Sequence, residues 1–340
     1  MNGEWLIRGS DGRLSVYLVS DGAVRCRAER APGGNWDAPR RTGGERRVEP
    51  LVGVGRGADS YAHLVAWQSP AGGKPGGLLH STHFRPLLAA LDWHPLGRPA
   101  GLGESPDEPA VAVDDQGRAH VFVRDGAGRL VIRAQKEKGG WGPWRDPQEG
   151  EFAGAPVAVP GRAGRVEVYG AAPDALLHWR QDKPAAAFHL VETAEAVPRP
   201  GTLRAVATSE ENTTVFYTDD ATGRLCAWRP GHKPVPVASA AGPGPVAAVR
   251  CVIDGHDCTL LAQRATHGRI VFAAYPSEQE EAGATWTESG PPVPADALVS
   301  LALDAEDRVT AACLSPSTGR LLLSRRKDAA GLAMGAWQEV

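Results

Sequence analysis

Apolar and polar residues alternate in short runs along this chain. Clear runs occupy residues 109–113 (PAVAV), 156–159 (PVAV) and 298–303 (LVSLAL), and each is followed by a polar turn that contains glycine or aspartate. A period of two is typical of β-strands, whose side chains point alternately to the two faces of a sheet. The pattern therefore predicts many short antiparallel strands and no long helix.

A hairpin marker made of glycine, a variable residue and an aliphatic residue recurs along the chain. Its clearest copies are Gly128-Arg129-Leu130, Gly223-Arg224-Leu225, Gly268-Arg269-Ile270 and Gly319-Arg320-Leu321, with weaker copies at 22–24, 76–78 and 174–176. Two strands precede each marker and a third follows it. An aromatic residue 12 to 16 positions after the marker usually begins a fourth strand: Trp36, Trp93, Trp144, Phe188, Trp286 and Trp337. The fifth unit, near Val237, has no such aromatic residue.

Seven units of this kind fill the chain, because neighbouring markers are 45 to 54 residues apart. Four antiparallel strands repeated at this interval indicate a β-propeller. We predict a single all-β domain, a seven-bladed β-propeller over 1–340 with four antiparallel strands per blade. The approximate blades are 3–44, 48–99, 107–150, 152–197, 201–242, 244–292 and 294–340. We expect face-to-face packing to close the ring, with an exchanged closing strand as the alternative.

Composition narrows the possible partners. The 41 glycines and 28 prolines suit a chain rich in turns, and the net charge of -3 offers no field of one sign for nucleic acid or an anionic membrane. Arginine far exceeds lysine among the 37 basic residues, which with abundant alanine and glycine suggests a high-GC actinobacterial genome. The N-terminal residues resemble no secretion signal, so we expect a cytoplasmic protein.

The reactive residue types indicate no cofactor. Five cysteines, an odd number without a C-x-x-C pair, favour buried reduced thiols over disulfides or a zinc site. No nucleophile elbow, zinc-protease, phosphate-loop or dinucleotide motif is present in the sequence. We therefore expect neither a metal nor a cofactor.

The third unit, PAVAVDDQGRAHVFVRDGAGRLVIRAQ followed by WGPWRDPQEG within residues 109–150, carries a family resemblance. It resembles the repeats of the seven-bladed fucose-binding propeller lectins first described in Photorhabdus. The resemblance spans the chain as a pattern of strand order, Asp-Gly turns, the glycine marker and a tryptophan followed by glycines. It implies sugar pockets between neighbouring blades, with aromatic side chains as stacking platforms.

The tryptophans divide into two sets. The fourth-strand series is expected to pack between blades. Trp67, Trp179 and Trp228 lie outside that register, and the last two share a column in which other units carry residues such as Arg133 or serine. We predict a ligand pocket near blades four and five, in which the Trp179 and Trp228 indoles stack on a sugar or another flat ligand. Trp67 is a further candidate ligand-binding residue, and Arg133 with loop carboxylates is expected to form hydrogen bonds to the ligand. Simple packing at the blade edge is the alternative.

Histidine and glutamate offer an enzymatic alternative. His120 and Glu167 share a second-strand column and His178 lies in a third strand, so these residues are candidates for acid–base catalysis. Equivalent residues on successive blades point the same way round a ring, and packed sheets lie about 10 Å apart. We therefore expect that these columns do not face one another, which favours structural histidines.

The sequence thus predicts a lectin-like protein that binds a saccharide or another small organic ligand. Two alternatives stay open. One is a cofactor-independent cyclase or isomerase of specialised metabolism that uses the channel or a blade cleft. The other is a protein-interaction scaffold. The sequence does not indicate an oligomeric state.

Overall fold

A computed structural model describes residues 4–103, 107–147 and 149–340. The predicted start of the first blade, Gly3, lies outside the described residues. Almost all regular structure is β-strand, and the helical elements among the described residues are two single 3-10 turns, η1 (Arg162–Gly164) and η2 (Glu280–Ala282).

Seven antiparallel sheets follow one another along the chain. The first contains β1 (Leu6–Arg8), β2 (Leu14–Ser20), β3 (Ala23–Ala28) and β4 (Arg40–Thr42), and the second β5 (Val48–Arg56), β6 (Ala62–Gln68), β7 (Leu78–His83) and β8 (His94–Gly97). The third contains β9 (Ala110–Val113), β10 (Ala119–Arg124) and β11 (Leu130–Ala134), and the fourth β12 (Ala153–Pro160), β13 (Val166–Ala171), β14 (Ala175–Gln181) and β15 (Phe188–Glu195).

The remaining three sheets repeat the same order. The fifth contains β16 (Arg204–Ala207), β17 (Thr213–Thr218), β18 (Arg224–Trp228) and β19 (Val235–Ser239), and the sixth β20 (Ala247–Ile253), β21 (His256–Arg264), β22 (Ile270–Pro276) and β23 (Thr287–Ser289). The seventh contains β24 (Leu298–Leu303), β25 (Val309–Leu314), β26 (Leu321–Arg325) and β27 (Gln338–Glu339). These sheets confirm the predicted all-β, seven-bladed propeller of antiparallel strands.

The third blade departs from the four-strand pattern at its outer edge. Its fourth position is occupied by residues 141–147 and 149–151, which pair with β11 and its flanks through isolated bridges such as Ile132 with Arg145. Pro143 and Pro147 lie in this segment. Proline has no N–H to donate to a neighbouring strand, so a continuous ladder does not form there.

The core lies between blades and not within a single layer. Seven clusters of buried apolar side chains are present among the described residues, one at each interface around the ring. The cluster between blades seven and one includes Trp5, Leu14 and Leu321. Because each sheet is built from one continuous segment, face-to-face packing closes the ring, as expected.

The fourth-strand aromatic residues pack against the outer edge of the preceding blade. The indole N–H groups of Trp144 and Trp286 donate to the carbonyl oxygens of Leu96 (3.2 Å) and Ser239 (2.7 Å). Trp93 lies over Gly43 of the blade before it. These contacts confirm the predicted inter-blade packing of this series.

The Gly43→Ala variant is expected to lose about 1 to 3 kcal/mol of unfolding free energy. Gly43 has a φ of +86°, and a Cβ there would lie 2.5 Å from the Trp93 ring, so backbone strain and crowding add. Gly139→Ala is the matched control, because Gly139 has a φ of +83° and open space around it. Urea denaturation of both variants measures the difference. Equal losses would contradict a role for the Trp93 contact.

Candidate functional site

A cavity of about 330 Å³ opens between blades three and four, here called the 3/4 cavity. Blade three contributes residues of β10 and β11 and the irregular segment after them, and blade four contributes the turn that leads into β15. The side chains that matter chemically are Arg118, His120, Gln135, Arg145, Asp146 and Phe188. The volume falls in the usual range for small-molecule sites, about 300 to 1,000 Å³.

Aromatic rings form one wall of the 3/4 cavity. Phe188 is half-buried and meets the buried Phe122 edge to face, with ring centroids 5.3 Å apart. It also meets the His120 ring at 5.7 Å and an interplanar angle of 71°. Phe188 is the aromatic residue that begins the fourth strand of its blade, so the repeat itself places a ring at this wall. Such a partly exposed ring can contact the apolar face of a ligand.

A buried carboxylate organises the polar side of the cavity. Asp114 is 1% exposed, and its Oδ2 accepts from Arg118 Nε at 3.0 Å and lies 3.2 Å from His120 Nε2. Burial alone would raise the pKa of Asp114, but the bonds from His120 and Arg118 outweigh that effect and lower it. The same carboxylate-to-arginine turn recurs at Asp125 and Asp304. Of these three turns, only the one at Asp114 also holds a histidine.

Two buried nitrogen atoms of cavity-lining side chains have no hydrogen-bond partner among the described residues. They are Arg118 Nη2 and His120 Nδ1. A third polar group is Gln135, whose amide oxygen accepts from the Ala119 N–H at 2.9 Å. Buried polar groups are normally satisfied, so these two nitrogen atoms represent unmet hydrogen-bonding capacity beside the 3/4 cavity.

Of the residues predicted to form a site, His120 lines the 3/4 cavity. Arg133 does not line it. Its guanidinium donates to the carbonyl oxygens of Gly142 (2.8 Å) and Leu96, which belong to blades three and two respectively. It also lies 5.7 Å from the ring centroid of Trp144. These contacts place Arg133 at the blade interface, and its ligand-binding role stays a prediction.

The three indoles predicted to bind a ligand are buried. Trp179 and Trp228 are 0% exposed and Trp67 is 2% exposed. Each indole N–H donates to a backbone carbonyl, those of Glu149 (3.0 Å), His232 (3.1 Å) and Asp107 (2.9 Å) respectively. No face of these rings is open to a sugar. This corrects the predicted stacking role, because each of the three rings packs in a cluster between two blades.

Glu167 and His178 are neighbours within one blade. His178 stacks on Tyr169 with centroids 4.6 Å apart, and its Nε2 lies 3.6 Å from a carboxylate oxygen of Glu167. Burial raises the pKa of Glu167 by itself, but His178 and the Tyr169 hydroxyl overcome this and lower it to about 2. Comparing successive blades missed this contact, because the pair forms across adjacent strands of the same sheet. Neither side chain lines the 3/4 cavity, so we assign the pair to the core.

A groove of about 600 Å³ lies between blades four and five, here called the 4/5 groove. It is close to the predicted pocket, but Trp179 and Trp228 are not part of its wall. Its outer side is lined by Pro234 and Pro236, at the position where other blades carry the fourth-strand aromatic residue. Its charged residues have both signs: Glu192, Glu195, Asp219, Arg224 and Lys233.

The cysteines and the potential metal ligands form no additional candidate site in the described ranges. All five cysteines are buried and free. Cys251 and Cys258 lie opposite each other on the neighbouring strands β20 and β21 and form no disulfide. Across 4–103, 107–147 and 149–340 no group of three or more histidine, cysteine or acidic side chains is placed to hold a metal ion. Within the same ranges, no helix is long and apolar enough to cross a membrane.

Comparison with known proteins supports the architecture. No family model matches the chain, and no curated protein matches it. Among solved structures, a lectin from Burkholderia pseudomallei has a TM-score of 0.74 at 15% identity, over 98% of this chain and 96% of that chain. The Aleuria aurantia lectin, in complex with Fucα1-6GlcNAc, has a TM-score of 0.53 at 12% identity, over 86% and 97%.

An ulvan lyase bound to a GlcA(1-4)Rha3S repeat is also similar, with a TM-score of 0.58 at 12% identity over 100% of this chain and 96% of that chain. At identities this low, the similarity shows the fold alone. The predicted resemblance to fucose-binding lectins is confirmed at this level. The chain is a seven-bladed β-propeller.

Proposed function

We propose that the protein binds a saccharide in the 3/4 cavity. The observation that carries the proposal is the pairing of an aromatic wall, Phe188, with two unpartnered buried nitrogen atoms on Arg118 and His120. A sugar ring offers an apolar face to the phenyl ring and several hydroxyl oxygens to nitrogen donors. Two of the similar structures are lectins, which is consistent with this ligand class.

Phe188→Ala is expected to weaken saccharide binding about tenfold or more, equivalent to 1.4 kcal/mol. Phe84→Ala is the matched control, because Phe84 is 37% exposed and lies on blade two, away from the 3/4 cavity. A glycan array identifies the saccharide, and titration calorimetry then compares the variants. Equal binding by both variants would contradict this location, and failure of the wild type to bind any saccharide would contradict the function.

A second candidate function is isomerisation or cyclisation without a cofactor. It is favoured by the position of His120, which contacts the Asp114 carboxylate through one ring nitrogen and has no partner at the other. A carboxylate that orients an imidazole is a usual arrangement for a general base. Isomerisation or cyclisation would rest on His120 alone, whereas saccharide binding also accounts for Phe188 and Arg118 at the same cavity. Binding therefore remains the leading proposal.

Deuterium exchange separates the two functions. A general base at His120 would incorporate solvent deuterium into a carbon-bound position of the ligand, and His120→Gln would abolish the incorporation. Simple binding leaves the ligand unlabelled in both proteins. NMR spectra of the recovered ligand distinguish these results.

A further inference from the structure

The central channel holds a second cavity that is separate from the 3/4 cavity. The first strands of the blades surround the channel, and its larger space, about 210 Å³, is lined by residues of β1, β16, β20 and β24 together with Arg56 at the end of β5. We call this space the channel cavity. Its polar lining consists of Glu4, Arg8, Arg56 and Arg204.

Two glycines explain why the space lies on one side of the channel. A Cβ on Gly53 would lie 2.1 Å from the Pro109 carbonyl oxygen, and one on Gly55 would lie 2.5 Å from that of Val111. Strands β5 and β9 therefore approach more closely than side chains would permit. The channel cavity lies toward blades five, six, seven and one as a result.

An ion pair lies between the channel cavity and a smaller one. Arg204 Nη2 is 3.2 Å from a carboxylate oxygen of Glu4. Both residues line the channel cavity and also a space of about 30 Å³ on the side of Trp5 and Glu108. The charge of Arg204 is thus balanced by Glu4.

The other two arginines differ in their partners. Arg8 pairs with Asp307 at 2.7 Å, so its charge is also balanced. Arg56 donates to the backbone carbonyl of Arg8 at 3.4 Å, and no carboxylate in the described ranges lies within 4.0 Å of its guanidinium. The Arg56 side chain is exposed to the solvent of the channel. The surrounding protein partly desolvates the guanidinium and so lowers the pKa of Arg56, an effect that Glu4 opposes and Arg8 reinforces.

The rest of the cavity wall is apolar. It includes Ile7, Val206, Val249, Leu301 and Leu303. The Arg56 guanidinium has no carboxylate partner among the described residues, and a carboxylate or another oxyanion can bind such a group bidentately. The space beside it suits a small hydrocarbon body.

We propose that the channel cavity binds a small organic monocarboxylate. The carboxylate pairs with Arg56, and the hydrocarbon part of the ligand packs on the apolar wall formed by β16, β20 and β24. One negative charge is expected, because Glu4 and Asp307 already balance the other two arginines.

Benzoate tests the proposal, with benzamide as its neutral counterpart. Titration calorimetry at constant ionic strength is expected to detect benzoate binding to the wild type and at least tenfold weaker binding of benzamide. Arg56→Gln is expected to weaken benzoate binding about tenfold or more. Arg320→Gln is the control, because Arg320 forms its ion pair with Glu339 on the outer strands of blade seven.

Three results would overturn the proposal: no benzoate binding to the wild type, equal binding of benzoate and benzamide, or equal benzoate affinity of Arg56→Gln and Arg320→Gln. Thermal denaturation checks that Arg56→Gln is folded. Saccharide binding in the 3/4 cavity does not involve Arg56, so it is expected to survive this substitution. The two proposals can therefore fail independently.

Discussion

Replacing Trp228 with alanine is expected to lower the free energy of unfolding by about 3 to 5 kcal/mol. The indole is 0% exposed, meets Tyr169 edge to face with centroids 5.9 Å apart, and donates its N–H to the His232 carbonyl. Truncation removes the buried aromatic contacts and leaves a cavity between blades four and five. Urea denaturation at neutral pH measures the loss.

Trp286→Ala is the matched control for this prediction. Trp286 is only partly buried at the outer strand of its blade, so its truncation removes less buried area and is expected to cost less. If both variants lost the same small free energy while Trp228→Ala abolished saccharide binding, the indole would belong to the ligand site after all.

Acid is expected to destabilise the protein through His63 and His80. The two rings are each 4% exposed and stack with His63 Nδ1 3.0 Å from His80 Nε2. Burial lowers the pKa of His63 to about 4, and the charge of Asp59 opposes this shift. Burial also lowers the pKa of His80 to about 3, and the charges of His63 and His94 add to that shift. Both rings are therefore neutral in the folded protein at pH 5.

The sign of the pH effect follows from proton binding. Between the lowered pKa values and about pH 6.5 the unfolded chain binds protons that the folded protein does not, so stability falls as the pH falls. This pair contributes no pH dependence above that range. From pH 7 to pH 5 we expect the pair to remove about 2 to 4 kcal/mol of unfolding free energy.

Urea denaturation at the two pH values tests this effect. The double variant His63→Leu with His80→Leu removes both titrating rings and leaves neither nitrogen unpartnered, so its acid loss is expected to be smaller by that amount. His256→Leu, at an exposed position, is the control. An unchanged acid loss in the double variant would contradict the assignment.

The blade pattern was predictable because it depends on local chemistry. Markers such as Gly128-Arg129-Leu130 combine a turn residue with the first apolar residue of a strand, and both signals lie within a few positions of each other. The packing role of Trp144 and Trp286 was predictable for the same reason, since their register repeats. The irregular edge of blade three also has a local cause, in Pro143 and Pro147, that the repeat alone did not reveal.

The roles of the tryptophans outside the register were not predictable in this way. Trp179 and Trp228 occupy a variable column, which suggested exposure, yet each is enclosed by the neighbouring blade. Burial is a property of two surfaces in contact, and the second surface comes from residues far away in the chain. The contact between Glu167 and His178 was missed for a related reason, because it depends on the pairing register of β13 and β14.

The sequence by itself determined the number of blades, the order of their strands and the resemblance to lectin propellers, because alternation, turns and repeats are written within short segments. Tertiary structure alone decided which surfaces stay open. It placed Phe188 and His120 on one cavity between blades three and four and left the 4/5 groove where an aromatic residue is missing. It also placed Arg56 beside the channel cavity with no carboxylate of the described residues within 4.0 Å. Cavities and unbalanced charges arise where separate blades meet, so no single repeat contains them.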